Sequence, residues 1–135
     1  MPNSTLEFFE DLTETGCTCP PEDASFPNGI KEFYRVVKHN PATTECFFSY
    51  KKKNPDKVYS DECEARAISL SDSIEGLKNS YFRTPAGKKK IQLIGLIKLM
   101  PEDGMIKQTY GEGHYSFWRS LLFEPSIITV QRIKI

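Results

Sequence analysis

No run of apolar residues in this chain approaches the roughly 18 that a membrane-spanning helix requires, and Met1-Pro2-Asn3-Ser4 offers no basic stretch leading into an apolar one. A cytosolic protein is therefore expected. A net charge of either sign is also missing: 18 Lys and Arg offset 18 Asp and Glu, so no overall field draws the chain towards nucleic acid or an acidic membrane surface. The signatures of several large enzyme classes are absent too. There is no Gly-x-x-x-x-Gly-Lys-Ser/Thr loop, no Gly-x-Gly-x-x-Gly, no His-Glu-x-x-His and no Gly-x-Ser-x-Gly. Cysteine is present, but without the two close pairs of a zinc site. Cys17-x-Cys19 is followed only by the single Cys46 and Cys63, with no histidine nearby. Neither metal nor cofactor is expected, and a reducing cytosol argues against disulfides. Cys46 and Cys63 then read as buried free thiols acting as small apolar residues.

What is present suffices for one core. A chain of 135 residues with 39% hydrophobic content is long enough for a single domain and short for two. The pattern predicts one α+β domain over residues 1–135, with a mostly antiparallel sheet of about five strands and helices packed on one face. Its centre is Ile91 to Met100, apolar at both alternation parities and bounded by three lysines and Pro101. A strand of that kind is covered on both faces.

Ser4-Thr5-Leu6-Glu7 has the form of a capping box, and Leu6, Phe9 and Leu12 continue it as a helix ending at Gly16. Three prolines between Cys17 and Gly29 predict an irregular linker, so residues 1–30 read as helix plus linker. Lys31 to His39 alternates as a strand, and Cys46 to Tyr50 reads as its hairpin partner. The lysine-rich turn at 51–57 is expected as a solvated tip. From Asp61 to Phe82 the apolar spacing would suit one long helix. Two caps, Asp61 with Glu64 and Asp72 with Glu75, and serines at 69, 71 and 73 instead predict two helical pieces around an extended segment near Ile68 to Leu70. The second piece is expected to end near Phe82, before a turn at Thr84-Pro85-Ala86-Gly87. Met105 to Tyr110 should return antiparallel to the central strand through the Pro101 to Gly104 turn, and the phase change within Ile127 to Ile135 predicts a bulge near Gln131-Arg132.

Two places hold candidate ligand-binding residues. Arg35 interrupts the apolar row Phe33, Val37 and needs an acidic or phosphate partner if buried, either a neighbouring protein carboxylate or a ligand. Gly111 to Arg119 carries Glu112, His114, Tyr115 and Trp118, a titratable group among aromatics able to stack a planar ring. The expectation is that Arg35 and His114 face a common cleft with Trp118 as one wall.

An arginine in an early strand (Phe33-Tyr34-Arg35), a later serine-containing strand and a downstream acid resemble the layout of compact ADP-ribosyltransferase folds. The resemblance implies that Arg35 grips dinucleotide phosphates, that Ser49 or Ser69 shapes a nicotinamide pocket, and that Glu112 polarises a ribose. It covers isolated residues, and Glu112, two positions after Tyr110, does not close the Gln/Glu-x-Glu turn of that family. The leading expectation is a small non-enzymatic binding or regulatory protein whose partner is another protein or a small ligand, with nucleic acid and membrane disfavoured. A nucleotide-using enzyme with this layout is the alternative.

Overall fold

Six short strands account for the architecture, in a computed structural model that describes residues 6–80 and 91–134. They are β1 (Glu32–Val37), β2 (Ile68–Ser71), β3 (Ile91–Lys98), β4 (Gly104–Gln108), β5 (His114–Arg119) and β6 (Thr129–Lys134). All pair antiparallel in one sheet of order β4-β5-β2-β1-β3-β6. The α+β class expected from the sequence is the one observed.

β3 is apolar on both parities because both faces of the sheet are covered. Ile94 and Ile97 are each fully buried, yet they belong to separate clusters. Ile97 joins Phe33, Val37, Ile68, Leu70 and Phe117 in the main core. Ile94 meets Leu77 from the helix α3 (Ile74–Ser80) on the opposite face. A third cluster on that second face gathers Leu12, Cys63, Ala67 and Trp118. β3 is nevertheless one strand from the edge, and the centre of the sheet is β1 and β2.

The break foreseen between Asp61 and Phe82 is present. The one-turn helix α2 (Glu62–Ala65) starts where Asp61 Oδ1 accepts from the Glu64 amide at 3.0 Å. β2 follows, and α3 starts where Ser73 Oγ, rather than Asp72, accepts from the Gly76 amide at 2.9 Å. The turn expected at Thr84 to Gly87 lies outside the described residues.

Other expectations fail for identifiable reasons. No helix forms between Leu6 and Gly16 among the described residues; Phe8 bridges Ser120, and the Phe9 amide donates to Arg119 O at 3.0 Å. That backbone pairing is incompatible with an i to i−4 ladder, while Leu12 is still buried beside Trp118. Cys46 to Tyr50 is not a strand. Thr44–Phe47 is a 3-10 turn that drives Phe47 into the core, and the one-turn helix α1 (Tyr50–Lys53) begins where Ser49 Oγ accepts from the Lys52 amide. β4 pairs with β5 at the far edge, not with β3. Gly104 permits this: its φ is +146°, and a Cβ there would come within 2.2 Å of Trp118 O, so only glycine lets the backbone turn in against β5. β6 holds an unbroken register with β3 and has no bulge. Both faces have a core, so Val130 serves one and Ile133 the other. Cys63 is bonded to Cys19 instead of being free, because the 17–24 segment folds back over α2 to a Cα–Cα distance of 5.6 Å. Cys46 is a buried free thiol as expected.

Candidate functional site

β1 and β3 pair from end to end, Glu32 with Lys98 through Val37 with Leu93. β1 and β2 share a single pair, Tyr34 with Ser71, and then part. The opening is a cleft of about 530 Å³, walled by β1, β2, the Glu45 to Lys53 segment, Leu77 and His114.

Arg35 sits where the ladder is lost. Its Nε donates to Cys46 O and its Nη1 to Ser69 O, both at 2.8 Å, and its guanidinium lies 5.8 Å from the Phe47 ring centroid. The side chain thus takes over bonding that neighbouring strands supply elsewhere, and it ties β2 to the 3-10 turn. Lys38 and Lys53 join it along the cleft, with Glu45 the one acidic residue of the lining among the described residues. Lys53 is held below the ordinary lysine value first by burial and then by the positive charges of Arg35 and Lys38. Three cations crowd one concave surface.

Cys46 also lines the cleft. Burial alone would raise its thiol, but hydrogen bonds from the Thr43 backbone and hydroxyl and from the Lys38 and His39 backbone outweigh that and hold it below the usual value. Ser49, a further lining residue, donates to Glu10 Oε1 at 2.7 Å. Burial raises the Glu10 carboxyl, and Ser49 partly opposes it.

His114 is the contribution of β5. Its pleat parity matches Ser71 and Tyr34 and is opposite to that of Arg35, but the parting of β1 and β2 lets both residues line the same cleft. Burial holds its imidazole below the ordinary value, against the raising effects of the Thr109 backbone and Glu64.

The remaining sequence candidates lie elsewhere. Trp118 is buried with Leu12 and Cys63, donates from Nε1 to Cys63 O at 3.0 Å, and forms no wall of the cleft. Tyr115 is on the other face, edge-on to Phe33 and hydrogen-bonded to Lys31. Glu112 is exposed in the β4–β5 turn. Of the residues implied by the ADP-ribosyltransferase resemblance, Arg35 and Ser69 are linked directly, Ser49 lines the same cleft, and Glu112 is not part of it. Lys53, Lys38 and Cys46 were not legible as site residues. Lys53 belongs to a lysine run that reads as a solvated tip, and its role depends on the short α1 helix, which the strand-like composition of Cys46 to Tyr50 conceals.

Among the described residues, no cluster of three or more His, Cys, Asp or Glu is placed to hold a metal ion, and no helix is long and apolar enough to cross a membrane. No family model, curated protein or solved structure significantly matches the chain.

Proposed function

We propose that the protein is a small binding module for an anionic ligand, taken up in the cleft where β1 and β2 part. The observation that carries this reading is the crowding of Arg35, Lys38 and Lys53 around one cavity, with Lys53 partly desolvated and repelled by the other two. A phosphate or carboxylate entering there relieves that repulsion, and a guanidinium already fixed by two carbonyls is preorganised to receive it. A cavity of this size suits a small organic ligand, within the roughly 300 to 1,000 Å³ usual for such sites. Apolar walls from Val36, Ile68 and Leu77 leave room for its uncharged part. The Cys19–Cys63 disulfide favours an oxidising compartment over the cytosol expected from the sequence.

Titration with inorganic phosphate at low ionic strength, followed by amide NMR, tests the reading. Saturable shifts confined to residues around Arg35, Lys53 and Ser69 are expected, and Lys53→Ala should weaken them. Shifts that never saturate, or that persist unchanged in Lys53→Ala, contradict it.

A further inference from the structure

His114 is wired to an acid through two hydroxyls. Ser116 Oγ donates to Glu64 Oε1, Thr109 Oγ1 lies 2.8 Å from Ser116 Oγ, and His114 Nδ1 lies 3.0 Å from Thr109 Oγ1. Each hydroxyl has one proton, so the direction of the chain is set at its acidic end. Ser116 gives its proton to the carboxylate and accepts from Thr109; Thr109, its proton committed, accepts from His114. A second anchor agrees: the Thr109 carbonyl, which can only accept, is 3.2 Å from the same Nδ1. The imidazole proton therefore resides on Nδ1. Nε2 has no partner among the described residues, and His114 is one of the residues lining the cleft. The groups around it are the Tyr110 ring at 5.2 Å, Glu64 at the end of the relay, Asp72 beside Gly113 and paired with Lys31, and Arg35, Lys53 and His39 lining the same cleft.

We infer that Glu64, Ser116 and Thr109 lock His114 as its Nδ1-protonated tautomer, so that the cleft offers a hydrogen-bond acceptor on one wall and cations on another. The ligand class is an anion that also carries a neutral O–H or N–H donor, such as a phosphorylated sugar or nucleoside. This rests on the anion-binding reading above. Ser116 and Thr109 are positioning residues, and His114 is the one that touches ligand. Burial keeps the ring neutral near pH 7, which leaves the Nε2 lone pair available.

Ribose 5-phosphate and pentyl phosphate share a charged group and differ in hydroxyl donors, and inorganic phosphate serves as the bare anion. At pH 7.5 ribose 5-phosphate should bind roughly five- to tenfold tighter than pentyl phosphate, the factor a single hydrogen bond supplies. That preference should vanish in His114→Phe and on acidification through the imidazole pKa. Long-range proton–nitrogen NMR should show Nδ1–H in the free protein. Thr109→Val should shift the ring towards Nε2–H, and Thr109→Ser should restore it. A histidine that is Nε2–H in the folded wild-type protein, or a ratio of ribose 5-phosphate to pentyl phosphate affinity that is one at pH 7.5 or that survives acidification, would overturn the inference while phosphate binding preserves the anion reading. Absence of saturable binding by all three compounds overturns the anion reading, and the ligand class falls with it.

Discussion

The two seams flanking β1 behave in opposite ways. On the β3 side every position from Glu32 to Val37 is paired, and the face beneath is filled by Phe33, Val37 and Ile97. On the β2 side pairing ends after Tyr34 and Ser71, and polar side chains take over: Arg35 bonds the Ser69 and Cys46 carbonyls, and a cleft opens beside them. A closed ladder satisfies the backbone with backbone and leaves side chains free to build a core. An open one must recruit side chains to the same task, and the space between the strands becomes accessible to a ligand.

Damage to the closed seam should be the most costly. Phe33 is 1% exposed in the main core, so Phe33→Ala is expected to destabilise by about 3 to 5 kcal/mol in urea unfolding. A loss near 1 kcal/mol would mean that this seam contributes no more than its neighbour. Arg35→Met tests the open side. It deprives two carbonyls of a charged donor, and a cost of about 1 to 3 kcal/mol is expected together with loss of phosphate binding. Retained binding would remove Arg35 from the site.

A smaller effect follows from His114, whose folded-state pKa lies below its ordinary 6.5 because of burial. The unfolded chain then binds the proton more readily than the folded one. Stability should accordingly fall as pH drops from 6.5 through the folded value, and rise back over the same window. Comparing wild type with His114→Phe isolates this slope; identical pH profiles would show that the imidazole is not desolvated. Smallest of all, Lys53→Ala should change stability by only about 0.5 kcal/mol, since the residue is only partly withdrawn from water, keeps much of its surface exposed and is crowded by like charge. A large loss would assign Lys53 a structural role.

The closed seam was largely legible in the sequence, and the open one was not. β1 and β3 announce themselves by apolar alternation, and β2 by the serines and paired caps that interrupt a helical stripe, because these are local signals. The phase change in β6 implies a bulge only where one face is buried; Val130 and Ile133 instead enter cores on opposite faces. Cys46 to Tyr50 has the aromatic content of a strand, but Phe47 is buried from a 3-10 turn. Arg35 and His114 were recognisable as polar residues in apolar surroundings. Their shared cleft depends on where two strands separate, a property of the tertiary structure to which no single stretch of sequence corresponds. Trp118 and Tyr115 misled because aromatic clusters look alike in a core and in a site.

The side-chain pKa of Lys53, followed by NMR with and without inorganic phosphate, tests the anion-site claim most directly. A cation crowded by Arg35 and Lys38 in a partly desolvated cleft should titrate below 10.5 in the free protein and move upward as phosphate saturates the site. A Lys53 that titrates at 10.5, or that phosphate leaves unmoved, would contradict the account.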